Sequence, residues 1–561
     1  MKNKLLFLQL PLLDNDAKGS RENFPFAGIW LSHALETHPE GAFWEVLPAP
    51  SDWDDLDTAH VLQAILKRGV QAVAFTLSLW NVERSMRLAR RLKEMDSNLY
   101  LMAGGPEVSE DHPFLLDSCF DALVIGEGDS IFPEMLKGIR TGKMPRYEHL
   151  LLAVSNGWET GRHTLPPVDL AAMQVPVDRL RTCIQARPTV YIETARGCPL
   201  TCTYCRYHHL QSGVRTLPAE FAAERVYQLR VAGAREIRFV DPTFNARADF
   251  TRLLELLVDC NPDQTLQFFA ELRADSLTPE HARLIAKANF ADIEVGVQST
   301  VPGVLRAIRR PANLPQVERG IRLLTGAGVH VTLDLMYGLP EQTLENVQQS
   351  IEWARGLGPN ISIQCMQTLL LPGTDLRKQA DSFGIKSMPM PPYGVLSTAT
   401  LSEEGMTQIE QMLSNSPDLP ADPVTPRFTG YRLAGLFKEQ CELNGGKASG
   451  AQNRRALIIR GADLNARRHE ICRGIDQAVS DEPDMLWQFV LCPEKEEPLE
   501  LIEALIQTLR TQPLHLLDRY ASAELFGLIA SRRIFVRLKK GQTYDAVWRE
   551  KVENLLGRHF V

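Results

Sequence analysis

Short apolar runs alternate with amphipathic segments through the first 150 residues. The runs predict five strands, at 5–10, 43–46, 72–76, 99–103 and 122–125. Segments between them, such as 82–95, carry apolar residues at three- and four-residue spacing, which is typical of an amphipathic helix. Strands and helices in alternation indicate a parallel sheet covered on both faces. Residues 1–150 are therefore predicted to form an open, doubly wound α/β domain.

The alternation stops over 151–187 and resumes at 188. Pro166, Pro167 and Pro176 interrupt the first of these segments, which is predicted to be a linker. The second block, 188–400, predicts six strands, at 190–193, 236–240, 266–269, 293–297, 330–335 and 361–364. Helical segments such as 219–232 and 279–288 separate the strands. Six strand and helix pairs predict a partial (β/α)6 barrel of the TIM type, with its site on the loops after the strands.

The pattern becomes mainly helical over 401–561, with two strands indicated at 456–459 and 534–538. The segment 532–551 is basic and contains Arg532, Arg533, Arg537, Lys539, Lys540, Arg549 and Lys551. A cluster of like charges without a recognisable motif is typical of a solvated surface, so we expect this segment to face water.

Charge and hydropathy exclude two classes of partner. The 561 residues include 61 Lys and Arg against 69 Asp and Glu, a formal net charge of -8, so nucleic acid is not expected as a partner. No run approaches the length of a membrane span. The leucine-rich start also reaches Asp14 and Asp16 without a small-residue cleavage site, so the sequence predicts a cytoplasmic protein without membrane contact.

Three of the ten cysteines fall within eight residues, directly after the first predicted barrel strand. Cys198, Cys202 and Cys205 have the spacing C-x3-C-x2-C. Three thiolates on one loop can converge on a single metal centre, and they leave a cubane 4Fe-4S cluster one protein ligand short. The iron without a cysteine is then free to bind a substrate or cofactor and to pass it an electron.

Two other interpretations of these cysteines remain open at the level of sequence. Ordinary core packing seldom places three cysteines so close together on a loop. A structural zinc site is the second alternative, since Cys198, Cys202, Cys205 and His208 have spacings near those of a Cys3His site. The position at the mouth of a barrel disfavours zinc, because structural zinc usually ties together a small module.

With Tyr204 just before the third cysteine, the motif resembles the signature of radical S-adenosylmethionine (SAM) enzymes. The resemblance implies that the open iron binds the amino and carboxylate groups of SAM. One electron, from a donor such as flavodoxin or ferredoxin, then cleaves SAM to methionine and a 5'-deoxyadenosyl radical. It also implies that Tyr204 lies beside the adenine and that the protein is a monomer.

Two further segments, 296–299 and 334–340, resemble the branch that includes coproporphyrinogen dehydrogenases. The resemblance implies SAM contacts at polar residues near strand ends, with Arg310 as an alternative to Arg309 for the SAM carboxylate. These residues are Tyr204, Asp241, Glu271, Gln298, Arg309 and Asp334. Many family members carry a Gly-Gly-Glu type segment that holds the SAM amino group. Asp241 stands at this place here, so we expect it to make the contact with the amino group instead.

The first domain resembles the cobalamin-binding domain that precedes many radical SAM barrels. The resemblance rests on the segments 101–107 and 124–129, whose glycines let backbone approach a ligand closely. It implies cobalamin contacts around the nucleotide tail and the lower face of the ring. The implied residues are Thr76, Ser78, Trp80, Gly104, Gly105, Glu107, Gly126, Glu127 and Gly128. In corrinoid domains of the methionine synthase type, the histidine that binds cobalt comes just after the first strand. His38 follows the first predicted helix instead, so cobalamin without a lower histidine ligand is expected.

The resulting hypothesis is a cobalamin-dependent radical SAM enzyme that methylates an unactivated carbon of a small-molecule or peptide substrate. No residue is assigned as a catalytic acid or base, and the substrate pocket is expected to combine barrel loops with the region after residue 400. The alternatives are ring formation or rearrangement, methyl transfer without hydrogen abstraction, and a non-catalytic zinc- or corrinoid-binding protein. The production of S-adenosylhomocysteine beside 5'-deoxyadenosine distinguishes these reactions.

Overall fold

The structure is a computed structural model that describes residues 2–13, 23–186, 188–207, 213–416, 436–437, 439–443, 451–519 and 531–556. None of the helices within these ranges is long and apolar enough to cross a membrane. The described chain forms three α/β regions that follow one another in sequence and contact one another.

The first region is a seven-stranded sheet in the order β2-β1-β3-β4-β5-β6-β7. Its strands are Asn3–Leu8 (β1), Trp44–Pro48 (β2), Ala72–Thr76 (β3), Tyr100–Gly104 (β4), Ala122–Val124 (β5), Leu150–Val154 (β6) and Gly157–Thr160 (β7). Its helices are Phe26–Glu36 (α1), Thr58–Arg68 (α2), Val82–Met95 (α3) and Ile131–Thr141 (α4). The first five strands are parallel, as predicted. Apolar clusters cover both faces, one containing Leu6 and Leu101 and the other Leu5 and Met102.

The segment predicted as a linker begins with sheet structure. Strands β6 and β7 pair antiparallel with β5 and with each other and extend the first sheet as far as Thr160. Only the part after this hairpin runs irregularly between the sheet and the helix Val177–Ala186 (α5). Alternation over so few residues is too short to separate a hairpin strand from extended linker by sequence.

The second region is a six-stranded parallel sheet in the order β15-β14-β13-β12-β11-β8, which confirms the partial barrel. Its strands are Thr189–Ile192 (β8), Glu236–Phe239 (β11), Gln267–Glu271 (β12), Phe290–Gln298 (β13), His330–Tyr337 (β14) and Ile361–Gln367 (β15). Two short strands between β8 and β11, Ala195–Arg196 (β9) and Arg215–Thr216 (β10), pair antiparallel. The helices are Ala219–Val231 (α6), Phe250–Cys260 (α7), Pro279–Ala288 (α8), Pro302–Ala307 (α9), Leu314–Gly326 (α10) and Leu344–Arg355 (α11).

A short extension after β15 joins the barrel to the first region. It contains Asp375–Lys378 (α12), Lys386–Ser387 (β16), Val395–Ser397 (β17) and Glu403–Ser414 (α13). Tyr393 in this extension is fully buried, and its hydroxyl donates a hydrogen bond of 3.1 Å to Glu107 of the first region. Glu107 also contacts His112 Nε2 at 3.2 Å. This buried cluster links the loop after β4 to the barrel.

The third region is a four-stranded parallel sheet with helices. The strands are Gln440–Glu442 (β18), Arg454–Gly461 (β19), Leu486–Pro493 (β20) and Arg532–Val536 (β21), and the helices are Arg468–Asp481 (α14), Leu499–Arg510 (α15) and Ala546–Leu556 (α16). More described residues are helical than extended, in accord with the mainly helical pattern. The sheet at the centre contains two strands, β18 and β20, that the sequence did not indicate.

The third region packs against the first. Arg87 on α3 donates a hydrogen bond of 2.9 Å to Asp484, and the backbone N–H of Asp57 donates one of 2.7 Å to the carbonyl of Ala451. Arg532 lies in this contact and is only 3% exposed, so the prediction that the basic segment 532–551 faces water is wrong for this residue. Its position at the start of β21 turns it inward, since alternate residues of a strand point to opposite faces.

Candidate active site

The cysteine loop leaves the carboxyl end of β8, where a buried carboxylate fixes its course. Asp241, at the end of β11, accepts hydrogen bonds from the backbone N–H of Thr194 at 2.7 Å and of Ala195 at 2.9 Å, and another from the Thr194 hydroxyl. Asp241 is fully buried and does not line the cavity that the cysteines share. The structure therefore places it as an anchor of the loop, and the prediction that it contacts SAM is not supported by this geometry.

All three motif cysteines line one cavity of about 170 Å³ at the mouth of the barrel. The other lining residues are Leu200, Tyr204, Tyr207, Pro242, Thr243, Glu271, Leu272, Arg273, Glu294, Gly296, Gln298, Arg310 and Asp334. Tyr204, Glu271, Gln298 and Asp334 were predicted from the sequence to lie together here. The cavity thus brings the predicted metal ligands and most of the predicted polar contacts to one place.

Polar side chains face two of the three sulfurs. The Nη1 of Arg310 lies 3.5 Å from the Sγ of Cys202, and the Oγ1 of Thr243 lies 3.5 Å from the Sγ of Cys198. Burial raises the pKa of the Cys205 thiol to about 11. The cationic donor of Arg310 suits a sulfur that carries negative charge, as a thiolate bound to iron does.

The zinc alternative finds no complete site in the described chain. Among the described residues, no three His, Cys, Asp or Glu side chains lie close enough to share one metal ion. His208, the fourth ligand of the alternative Cys3His site, lies outside the described residues. The donor set itself, three cysteines around one cavity with a cationic donor at one sulfur, fits an iron-sulfur cluster, in which each cysteine binds a different iron.

Three carboxylates converge opposite the cysteines because of the strand register. Glu271 on β12 lies beside Glu294 on β13, and Gly296, on the same face as Glu294, lies beside Asp334 on β14. All three carboxylates line the cavity. Glu294 was not predicted as a site residue, although it shares a strand face with Gly296 and Gln298 and alternation identifies that face.

Burial and the neighbouring charge of Glu294 favour the protonated forms of Glu271 and Asp334. Burial, together with the charge of Glu294, raises the pKa of Glu271 to about 7, although Arg238 opposes the shift. The pKa of Asp334 is also raised, first by burial and then by the charge of Glu294 and a hydrogen bond with it. Neighbouring acids in this arrangement retain protons near neutral pH and can donate hydrogen bonds to polar groups of a ligand.

Gln298 and Gly296 form the end of β13, where the chain turns into the cavity. Gln298 adopts a positive φ of 68° and is 8% exposed, and its Oε1 has no hydrogen-bond partner among the described residues. A Cβ on Gly296 would lie 2.7 Å from the Nε2 of Gln298 and 2.9 Å from the Nη2 of Arg310. Glycine at 296 therefore lets both side chains enter the cavity, and the buried Oε1 is an acceptor available to a ligand.

Arg309 and Arg310 point in different directions. Arg309 has a positive φ of 52° and forms an ion pair with Asp375, with a side chain that is 45% exposed. Arg310 lines the cavity and also donates to the carbonyl of Gly296. The choice of Arg309 as the SAM contact is thus not supported, and Arg310 occupies the place expected for it.

A second cavity, of about 270 Å³, lies beyond the carboxyl ends of the strands of the first sheet. Most of its lining is apolar, which suits a flat heterocyclic group. The lining residues from the first region are Phe7, Phe26, Ala27, Trp30, Leu31, Ala74, Phe75, Thr76, Met102, Ala103, Gly104, Gly105, Val124, Gly126, Glu127, Gly128, Asp129 and Phe132. Thr76, the four glycines and Glu127 were predicted as cobalamin contacts.

Three other predicted cobalamin residues lie elsewhere. Ser78 is 4% exposed, and its backbone N–H donates to the side chain of Asn81 at 2.9 Å. Trp80, 40% exposed, borders the contact between the first and third regions. Glu107 is held in the buried contact with Tyr393. These three residues come from the correct loops, but their side chains turn away from the cavity.

A network of ion pairs closes the second cavity against the barrel. Arg196 on β9 donates to Glu127 at 2.9 Å, to Asp129 at 2.8 Å and to Glu193 at 2.8 Å, and Arg215 on β10 pairs with Glu127 as well. Burial raises the pKa of Glu193 to about 7, although Arg196 opposes the shift. The barrel residues Glu193, Arg196 and Tyr207 thereby complete the wall of a cavity that begins in the first sheet.

The two cavities meet at Tyr207, which lines both of them. No described residue beyond Asp334 lines either cavity, so the expectation that the region after residue 400 contributes to this pocket is not supported by the described chain. The site is therefore formed by the first sheet on one side, the barrel on the other, and a tyrosine between them.

Comparison with known proteins agrees with this division. Residues 34–136 match the family model of the B12 binding domain, and residues 192–354 match that of the radical SAM superfamily. An uncharacterized methyltransferase from Pyrococcus horikoshii is 24% identical over 319 residues, 54% of this chain and 68% of that protein. TokK, a cobalamin-dependent radical SAM methyltransferase from Streptomyces tokunonensis, is 24% identical over 404 residues, 66% of this chain and 57% of that protein.

The fold is similar to a solved structure of the radical S-adenosylmethionine methyltransferase TsrM from Kitasatospora setae, with cobalamin and a [4Fe-4S] cluster bound. The TM-score is 0.57 at 18% identity, over 69% of this chain and 77% of that chain. At this identity the likeness establishes the fold. With both family models matched in the same order as the two cavities, the chain is a radical SAM protein that carries a B12-binding domain ahead of its barrel.

Proposed function

We propose that the protein is a cobalamin-dependent radical SAM methyltransferase that methylates an unactivated carbon of a small-molecule substrate. The observation that carries the proposal is the meeting of the two cavities at Tyr207. With cobalamin anchored in one cavity and SAM in the other, a substrate between the two cofactors could contact both. Tyr207 would contact such a substrate, since it lines both cavities, and its aromatic face suits an apolar carbon skeleton.

The barrel cavity would hold the cluster and SAM. Cys198, Cys202 and Cys205 would bind three irons, and Arg310 would face the carboxylate of SAM. Gln298, with its unpartnered Oε1, would accept a hydrogen bond from a ribose hydroxyl. The carboxyls of Glu271 and Asp334, kept protonated by their raised pKa values, would donate hydrogen bonds to the remaining polar groups of SAM.

The cavity of the first domain would hold the nucleotide tail of cobalamin. Its aromatic and apolar walls suit a heterocyclic base, and the glycines of the two loops let backbone approach the tail. Gly105 has a φ of 112°, and a Cβ there would lie 2.5 Å from the carbonyl of Leu77, so only glycine fits this turn. His38 caps a short turn through its Nδ1 and does not line the cavity, so this residue would not be a lower ligand.

When bound, the cluster would supply the electron that cleaves SAM and cobalamin would carry the methyl group, with flavodoxin or ferredoxin as the external donor. The contribution of the chain is to hold the two cofactor sites in register. Arg196 joins the two domains by pairing with Asp129 of the first region and Glu193 of the barrel, and we call this contact the seam. Tyr393 joins them by its buried hydrogen bond to Glu107. Fixed relative positions are what a reaction between two cofactors requires.

The experiment uses full-length protein, purified without oxygen and reconstituted with iron, sulfide and cobalamin, then incubated with SAM and dithionite. We expect S-adenosylhomocysteine, the product of methyl donation, together with 5'-deoxyadenosine, the product of radical cleavage. The matched variants are Cys202→Ala and Cys119→Ala, of which only the second should retain 5'-deoxyadenosine formation, because Cys119 lies outside both cavities.

Each other outcome excludes the proposal in a defined way. 5'-Deoxyadenosine alone, with cobalamin bound, indicates ring formation or rearrangement. S-Adenosylhomocysteine alone indicates methyl transfer without hydrogen abstraction. Neither product, from a protein that holds zinc in place of iron, indicates a non-catalytic metal-binding protein.

A further inference from the structure

A third cavity, of about 90 Å³, lies in the contact between the first and third regions. It shares no lining residue with the two cavities of the candidate active site. The first region contributes Pro11, Leu12, Leu13, Leu79, Trp80, Glu83, Arg84 and Arg87, and the third contributes Pro483, Asp484, Pro513, Leu514, His515, Leu516, Arg519 and Arg532. Four of these residues are arginines.

Three of the arginines are almost completely buried. The exposed fractions are 5% for Arg84, 9% for Arg519 and 3% for Arg532, and Arg87 is 36% exposed at its side chain. A buried guanidinium is unfavourable unless a carboxylate or another acceptor compensates its charge. The acceptors around this cavity therefore decide whether the protein alone satisfies these groups.

The carboxylates that line the cavity compensate only two of the four arginines. Arg87 pairs with Asp484, and Arg519 pairs with Glu83. Arg84 and Arg532 have no carboxylate within ion-pair distance among the described residues. Arg84 donates instead to the Leu56 carbonyl at 2.6 Å and to the Thr58 hydroxyl at 3.2 Å, and Arg532 to the Pro513 carbonyl at 2.9 Å.

Other acids lie near these arginines without forming an ion pair with them: Asp54, Asp57 and Glu482 lie near Arg84, and Asp518 lies near Arg532. Asp57 contacts Arg455 at 3.3 Å, and Asp518 accepts hydrogen bonds from the backbone N–H and the hydroxyl of Ser531. Burial and the surrounding arginines lower the pKa of His515, so it contributes no charge of its own. Among the described residues that line the cavity, four arginines thus face only two carboxylates, those of Glu83 and Asp484.

The guanidinium groups also retain hydrogen-bonding capacity. The Nη1 of Arg84, the Nε of Arg519 and the Nε of Arg532 are buried and have no acceptor in the described part of the chain. Arginine pairs especially well with phosphate and carboxylate oxygens, since its planar group presents several donors. All three of these side chains line the same cavity, and two of them, Arg84 and Arg532, also lack an ion-pair partner among the described residues.

We propose that this cavity is a binding site for one dianionic phosphate group, either inorganic phosphate or the phosphate of a small monoester. A dianion would supply the ion-pair partner that Arg84 and Arg532 lack among the described residues, and its tetrahedral oxygens accept hydrogen bonds from several directions. A volume of about 90 Å³ accommodates one such group. The site joins the third region to the B12-binding domain and does not depend on the proposed methyltransferase activity.

The test measures thermal unfolding of the full-length protein, saturated with hydroxocobalamin so that the cavity of the first domain is filled. Phosphate is titrated against chloride and acetate at constant ionic strength. We expect a saturable rise in melting temperature with phosphate and a smaller, non-saturating one with chloride or acetate. Glycerol 3-phosphate as a further titrant assigns the site to monoesters if it binds at least as tightly as phosphate, and to the free ion if it does not.

Two arginine variants and one control locate the effect. Arg532→Gln and Arg84→Gln should weaken phosphate binding at least tenfold. Arg252→Gln, which alters a half-exposed ion pair with Glu220 on the barrel, should leave it unchanged. Equal phosphate effects in all three proteins, or no saturable effect in the unmodified protein, would overturn the proposal.

A variant of opposite sign keeps the test valid if the arginine variants fail to fold. Glu83→Gln removes a carboxylate that competes for Arg519, and we expect it to tighten phosphate binding several-fold. Unchanged or weaker binding in this variant would contradict the proposal, as would acetate that stabilises the protein as strongly as phosphate.

Discussion

Arg196 of the barrel donates a hydrogen bond of 2.8 Å to Asp129 of the B12-binding domain, and both side chains are only 10% exposed. The same guanidinium holds Glu193 of its own domain at 2.8 Å. One cation thus neutralises carboxylates that belong to both sides of the seam. The wall of the cavity in the first domain depends on this contact.

Replacing Arg196 by Met is expected to lower the free energy of unfolding by about 3 kcal/mol, because it leaves several carboxylates near one another in a partly dry site. The matched control is Arg146→Met, whose pair with Glu159 is half exposed on both sides and should cost about 0.5 kcal/mol. Urea unfolding of the two variants checks the difference. Equal losses would show that the seam network does not carry the stability assigned to it.

Gly296→Ala is expected to weaken SAM binding roughly tenfold, a loss of about 1.4 kcal/mol. The added methyl group would displace the side chains of Gln298 and Arg310, which lie 2.7 and 2.9 Å from its position. Gly326→Ala is the control, since nothing lies within 4 Å of the corresponding Cβ. Equilibrium binding of SAM to the reconstituted proteins measures the effect, and equal affinity in both variants would remove Gln298 and Arg310 from the SAM site.

The raised pKa of Glu271 predicts a pH dependence of stability. The folded protein holds a proton up to about pH 7, whereas the unfolded chain releases it near the ordinary value of 4.5. Since the folded state binds more protons in this window, stability falls as the pH rises through it. Glu271→Gln cannot ionise and removes that loss, so its urea midpoint should rise relative to the unmodified protein between about pH 5 and about pH 8.

The control for this prediction is Glu255→Gln on the barrel surface, where the glutamate side chain is 48% exposed. Its midpoint should follow that of the unmodified protein at every pH. If Glu271→Gln also runs parallel to the unmodified protein, the carboxyl is ionised in both states and the crowding with Glu294 has no energetic effect.

Elements with a clear period were predictable from the sequence. The helix Val82–Met95 and the strand Ala72–Thr76 have the bounds that the hydrophobic pattern predicts, because the helix buries one face against the first sheet and the strand is a short apolar run buried on both faces. The strand Leu486–Pro493 was not predicted. Seven of its eight residues are buried, so it shows no alternation that separates a strand from a buried helix.

The site was predictable where the signal is local in sequence. The cysteine spacing placed three residues around one cavity, and strand ends supplied Glu271, Gln298 and Asp334. The hydrogen bonds of Asp241 could not be predicted, because its partners Thr194 and Ala195 lie 47 and 46 residues away and only the folded chain brings them together. Arg309 and Arg310 are neighbours in sequence, and only the positive φ of Arg309 determines which of them faces the cavity.

The most direct test of the account is whether the two cofactor sites face each other across Tyr207. The measurement is the electron spin relaxation of cob(II)alamin bound to the full-length protein, with the cluster oxidised and then reduced to its paramagnetic state. We predict faster relaxation when the cluster is reduced, and no such change in Cys202→Ala. Relaxation that is the same with oxidised and reduced cluster, in a protein that holds both cofactors, would contradict the account.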